Sequence, residues 1–353
     1  MYQDFPFITD LLSQPKGVQD VVDGYDPKLM DELSKRFQRG DFDRVIITSM
    51  GASTFGTYPA WLMLLQAGVQ AYWMDTSELL SYASQMITPR TLLWIVSNSG
   101  KIIETTRTLS RLQEFGSPFV LGNTNDLSSP LAQAANLVVP MFTGNDITLS
   151  TRSYMGTLAV NQLIALSLVG KSVERELDDL HYTAEGLSAY FKNLEEHVAE
   201  LDQLIGKVNR LNIVGRGPSY ATAMEGALCF KEGPKLNVEG LTTGQFWHGA
   251  IEMADPNFTL LAMAGETITR KEDEFLAAKA ASLGMRVFWF SDQPSEKLPT
   301  VLLPKYRGIG LPIAEIAPIQ LISINVGKQT GYRPGDFIHL TKSVNTKKEE
   351  FKG

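Results

Sequence analysis

A chain of 353 residues with 44% hydrophobic and 20% charged residues has enough apolar material for two cores of ordinary size. Its net charge of −7, with no lysine- or arginine-rich block before Lys347 and Lys348, excludes a general nucleic-acid binder. A single cysteine, Cys229, excludes an intramolecular disulfide framework and a zinc ribbon.

Four short apolar runs in the first half read as buried strands, opening at Val45, Leu92, Pro118 and Asn136, with spacings of 47, 26 and 18 residues. Between them lie helical patterns. After Ser99, Ile102, Leu109 and Leu112 share one face, while Lys101, Glu104, Arg107 and Arg111 are polar. A polar helical stretch follows from Ser172 to Lys207. The second half repeats the strand pattern at Leu211, Thr259, Met285 and Pro299, with spacings of 48, 26 and 14. Matching spacings in two halves argue for a duplicated domain. Strands alternating with helices form parallel sheets covered on both faces.

The fold expected is therefore α/β, two doubly wound, flavodoxin-like parallel-sheet lobes from an internal duplication. Its parts are a first lobe over 1–170, a helical connection over 171–207, a second lobe over 208–340 and a tail over 341–353. No apolar run approaches the ~20 residues needed to cross a bilayer. The stretch Met1–Asp10 lacks the order of a signal peptide. A cytoplasmic protein without membrane contact is expected.

Ser97-Asn98-Ser99-Gly100 lies between a buried strand and a helix start. A helix N-terminus exposes unpaired amides and favours an anion, and the two serines add hydroxyl donors. The same pattern is also that of an ordinary serine cap. Two further hydroxyl-rich turns occur in this half, at Met50-Gly51-Ala52-Ser53-Thr54 and at Thr148-Leu149-Ser150-Thr151. There is no GxxxxGK[ST] loop, and Gly215-Arg216-Gly217 is only a fragment of a dinucleotide fingerprint. No spacing of histidines, cysteines or carboxylates supports a metal, and no cofactor is expected.

The block GRGPSYATAMEGALCFKE, then GQFWHG, then LTKSV resembles the sugar-isomerase (SIS) superfamily. The likeness is to the isomerase half of glutamine–fructose-6-phosphate aminotransferase and to its single-module relatives, the SIS-type glucosamine-6-phosphate deaminases and sugar–amino-acid phosphate deglycases. It runs from about Val45 to Val344. The resemblance implies a phosphosugar ligand held by Gly51, Ser53, Ser97, Asn98, Ser99, Thr148 and Ser150. It implies Glu232 as the base between C1 and C2, Glu225 on amino or hydroxyl groups, and Lys342 near the sugar carbonyl. His248 would act in ring opening from a neighbouring subunit, which requires a homodimer at least.

Three positions depart from the family pattern. Met50-Gly51-Ala52-Ser53 replaces a CGTS-like turn, Ile102 stands where a threonine is usual, and Cys229 where a lysine is usual. No glutaminase domain and no helix-turn-helix domain are expected before Val45, so glutamine hydrolysis is not expected.

Glu225 and Glu232, seven residues apart, point the same way on a helix. Two inward carboxylates and an imidazole suit an aldose–ketose shift. A Schiff base and neutralisation of an oxyanion are both open to Lys342. Three functions are weighed: isomerisation coupled to C–N cleavage, plain aldose–ketose isomerisation, and non-catalytic phosphosugar sensing.

Overall fold

The computed structural model describes residues 5–339. In chain order the regular elements of the first half are α1 (Pro6–Gly24), α2 (Asp31–Gln38), β1 (Arg44–Ser49), α3 (Ala52–Gln66), β2 (Ala71–Asp75), α4 (Thr76–Tyr82) and β3 (Thr91–Val96). They continue with α5 (Ile103–Ser110), β4 (Phe119–Thr124), α6 (Pro130–Ala134), β5 (Leu137–Pro140) and α7 (Arg152–Leu168). Next come α8 (Glu174–Lys192), α9 (Leu194–Ile205), β6 (Arg210–Gly215), α10 (Ser219–Glu232), β7 (Val238–Thr242) and α11 (Thr243–Trp247). The last are β8 (Phe258–Met263), α12 (Arg270–Ser282), β9 (Arg286–Ser291), β10 (Thr300–Leu302) and α13 (Leu311–Thr330).

Two units divide the chain. The first-sheet unit holds residues 20–145 and 152–175, with 337–339; the second-sheet unit holds 5–19, 146–151 and 176–336. The first sheet has the order β2-β1-β3-β4-β5 and the second β7-β6-β8-β9-β10 read from its other edge, with every pairing parallel. These are one topology used twice, which is the duplication that the strand spacings announce. Each is the flavodoxin-like arrangement, with the order reversing beside its first strand.

Central strands are buried on both faces and so read as continuous apolar runs. β3, TLLWIV, is buried at every residue, and so is β8, FTLLAM. The edge strands β2 and β7 are partly exposed, carry polar or small residues in AYWMD and VEGLT, and escape a search for apolar runs. They keep the repeat: β2 opens 27 residues after β1, and β7 opens 28 after β6.

Small residues let the helices pack closely against their neighbours. In the first-sheet unit a Cβ on Gly56 of α3 would stand 2.8 Å from Thr157 Cγ2 of α7. In the second-sheet unit Gly226 of α10 faces Ile213 and Ile319 at 2.8 and 3.1 Å in the same sense. α13 corrects one expectation: Gly308–Thr330 is long and apolar enough to cross a bilayer, with a mean hydropathy of 1.5. Its most apolar stretch is 94% buried, which is the position of a core helix.

Candidate active site

In the first-sheet unit, β1 and β3 are neighbours at the point where the strand order reverses, and their carboxyl ends lead into the two expected turns. Parallel α/β sheets place ligands at that point. Gly51 caps α3 with φ +58°, and open space surrounds it, so glycine is needed there for its dihedral rather than for room. Behind it Ser49 donates to Thr54 at 3.1 Å and Thr54 donates to Asp75 at 3.2 Å, which fixes the first turn of α3. Ser53 is half-buried, with no side-chain hydrogen bond among the described residues.

The Ser97–Gly100 turn is built more tightly. Ser97 Oγ accepts from Gly100 N at 3.1 Å and Ser99 Oγ accepts from Lys101 N at 3.3 Å. Each serine thus uses a lone pair inward and keeps its hydroxyl proton for an incoming acceptor. Asn98 is locked from three sides: its carbonyl accepts from Thr124 Oγ1 and Asn125 N, both at 3.0 Å, and its Oδ1 from Asn125 Nδ2 at 2.5 Å. Gly100 has φ +62°, and a Cβ there would stand 2.2 Å from Ser129 Oγ. Lys101 next to it is paired with Asp126, whose carboxyl is held down at about 2 by that ammonium and by Ser128. α5 opens at Ile103, and Ile102 at its cap supplies no oxygen. The missing threonine is therefore a missing helix cap.

The expected acid pair lies in the second-sheet unit, on α10. Glu225 is 3% exposed and its Oε2 has no hydrogen-bond partner among the described residues. Burial above all, then the charges of Glu232 and Asp146, pushes its carboxyl well above the usual range. Glu232 is raised by burial and relieved in part by Lys235. Between them Cys229 is buried, its thiol pushed up to about 12 by burial. Lys235 donates to the carbonyls of Glu232 and Asp336, at 2.5 and 2.9 Å.

Beside this helix runs the turn at 146–151. Asp10 of α1 is 3% exposed and accepts from Ile147 N at 2.8 Å, Thr148 N at 2.7 Å and Thr148 Oγ1 at 2.6 Å. The hydroxyl proton of Thr148 is thereby committed to Asp10, which leaves Thr148 able only to accept from a ligand. Ser150 is half-buried, with no side-chain hydrogen bond among the described residues. Asp146 accepts from Thr151 at 2.9 Å. Gly335 closes over Thr148, where a Cβ would stand 2.6 Å from its methyl.

His248 ends α11, which a Thr242–Gln245 capping box opens. It is exposed, and its ring has no hydrogen bond among the described residues. Lys342 lies outside the described residues. Sequence reasoning missed Asp10 and Asp146, which belong to no motif; both appear only because the chain folds the 146–151 turn onto α1 and α10.

The second sheet also has a reversal point, and it is filled from within. Because β6 and β7 are parallel, α10 runs back against them, so Ser219 stands at the carboxyl edge and Glu232 roughly 20 Å away along the helix. At that edge Ser219 and Thr222 donate to the fully buried Glu315 at 2.7 and 2.9 Å. Arg216 is paired with Glu272 and Asp273, and Arg270 with Asp292. The hydroxyls and guanidinium groups of this crevice already hold carboxylates. No group of metal-ligating side chains occurs among the described residues.

Residues 204–300 match the family model of the SIS domain. The chain is 26% identical over 355 residues to glutamine–fructose-6-phosphate aminotransferase [isomerizing] of Pyrococcus horikoshii, covering 97% of this chain. It spans 58% of that relative's length. Among solved structures, the C-terminal domain of glucosamine-fructose-6-phosphate aminotransferase from Francisella tularensis superposes with a TM-score of 0.82 at 17% identity. That match covers 94% of this chain and 98% of the other. Tagatose-6-phosphate ketose/aldose isomerase from Escherichia coli superposes with a TM-score of 0.79 at 18% identity, covering 97% and 99%.

Proposed function

We propose a function from one premise, that this chain belongs to the SIS superfamily: it is a phosphosugar isomerase-type enzyme acting on an amino-sugar or sugar-amine 6-phosphate. Its reaction couples an aldose–ketose shift to cleavage of the C–N bond, as a deaminase or deglycase does. The observation that carries this reading is the pair Glu225 and Glu232 on one face of α10, with both carboxyls raised by burial. A carboxylate whose pKa moves up toward neutrality is a better proton shuttle between C1 and C2 than an exposed one.

The phosphate would bind at the first sheet's reversal point, taking the free hydroxyl protons of Ser97 and Ser99 and the amides at the start of α3. Glu232 would move the proton, Glu225 would face the amino group, and Lys342 would meet the carbonyl. His248, exposed in a single chain, would reach the ring oxygen of a substrate in a partner subunit, so the active species is a two-fold dimer. Light scattering during turnover tests that point, since a fully active monomer would refute it.

Proton NMR in D2O with glucosamine, fructose, glucose and fructosyl- and glucosyl-amino-acid 6-phosphates tests the reaction. Deuterium entering at C1 or C2 with loss of the amine supports C–N cleavage. Entry without loss leaves the plain isomerase, and binding without entry leaves a sensor. Glu232→Gln should stop deuterium entry while phosphosugar binding persists.

A further inference from the structure

On a helix the residues nearest a given side chain are those three and four positions away. Cys229 is four residues after Glu225 and three before Glu232, on the face that both acids share. It fills the place between them with a neutral thiol, which its contact with Ser323 holds inside the core. Asp146 brings a third acid to Glu225. The ammonium of Lys235 is held on two backbone carbonyls and relieves Glu232 in part, while no cation among the described residues does the same for Glu225. Among the described residues Glu225 Oε2 is left without a partner, at 3% exposure. An acceptor buried in that state costs stability until something donates to it, and a buried carboxylate most of all.

We infer that Cys229 is a specificity-determining residue: by leaving Glu225 without a counter-charge among the described residues, it makes the site select a sugar phosphate bearing a positively charged amine. This rests on the reading of the α10 acids as substrate-facing. A hydroxyl in the position of the amine can offer Glu225 one hydrogen bond but no charge. An ammonium offers both, so the carboxyl gives up its proton when the ligand arrives. A lysine in place of Cys229 would supply the cation from within and remove the advantage of an amine.

The test is calorimetric titration of the whole chain with three reduced sugar phosphates that have no carbonyl and cannot be turned over. They are glucitol 6-phosphate and its 1-amino-1-deoxy and 2-amino-2-deoxy derivatives. The expected result is that at least one amine binds ten-fold or more tighter than glucitol 6-phosphate, and that its binding heat changes with the buffer because a proton is released. Cys229→Lys should bring the ratio close to one, while Cys229→Ala should keep it. Should the lysine variant fail to fold, Glu225→Gln replaces it and should lower affinity for the amines alone. Equal binding of all three compounds overturns the inference and leaves the phosphosugar reading standing. Binding of none of them overturns the phosphosugar reading itself.

Discussion

The Asp10 carboxylate holds Thr148 by two hydrogen bonds, from its amide at 2.7 Å and from its hydroxyl at 2.6 Å. It also takes the amide of Ile147, so one buried side chain of α1 anchors the whole 146–151 turn beside the acids of α10. Hydrogen bonds to a buried charge contribute more than neutral ones, and removing the acceptor leaves the amides of Ile147 and Thr148 without it. Asp10→Ala is expected to lower stability by about 2–3 kcal/mol in urea unfolding. In a double-mutant cycle with Thr148→Val, the two losses should fall short of additivity by about 1 kcal/mol. Strictly additive losses would show that the two side chains do not support each other.

Asp10 also shows where reading a sequence stops. Its partners are 137 and 138 residues away, and neither helical periodicity nor a local motif marks an acid destined for such a contact. The Ser97–Gly100 turn was legible because strand, turn and helix follow each other within a dozen residues, and the anion-binding chemistry of that sequence is local. Central strands such as β3 and β8 were legible because burial on both faces leaves an unbroken apolar run. β2 and β7 were not, because an edge strand may keep one side polar, and VEGLT has a single large buried residue, Val238. The carboxylates on α10 were found through the family resemblance of their block, and their seven-residue spacing puts them on one face, but their raised pKa values depend on burial that only the packed helix reveals.

Gly100 should tolerate no side chain. With φ at +62° any L-residue is strained, and its Cβ would press on Ser129, whose hydroxyl accepts from Ala132 N to cap α6. Gly100→Ala is expected to cost about 2 kcal/mol and to weaken phosphosugar binding more than ten-fold. Adding Ser129→Gly relieves the clash but leaves the dihedral strain, so stability should return only in part. Unchanged affinity in the alanine variant would separate this turn from the phosphate.

Ile102 offers a gain instead of a loss. Its backbone is already extended, at φ −61° and ψ 151°, which is the conformation of a side-chain cap, yet isoleucine has no oxygen for the amides of α5. Ile102→Thr is expected to stabilise the chain by about 1 kcal/mol. If the phosphate sits on the same helix start, the new hydroxyl should also tighten phosphosugar binding several-fold. A gain in stability with no change in affinity would place the phosphate elsewhere.

Glu315 gives the chain a pH dependence with a definite sign. Burial lifts its carboxyl from the ordinary 4.5 to about 7, against the lowering effect of the Ser219 and Thr222 hydroxyls. The folded state therefore binds this proton more tightly than the unfolded chain does. The stability this provides is fully present below about pH 4.5 and is lost as the pH rises through 7, a difference of about 3 kcal/mol by pH 9. Glutamine has the same shape, stays neutral throughout and can still accept from one of the two hydroxyls. The Glu315→Gln variant should accordingly melt close to the parent at pH 5 and progressively above it toward pH 8.5. Because every other titrating group is common to the two proteins, the change in the gap belongs to Glu315. A gap that stays constant from pH 5 to 8.5 would mean that Glu315 is ionised in the folded chain across that range, stabilised by Arg270 more strongly than burial opposes it.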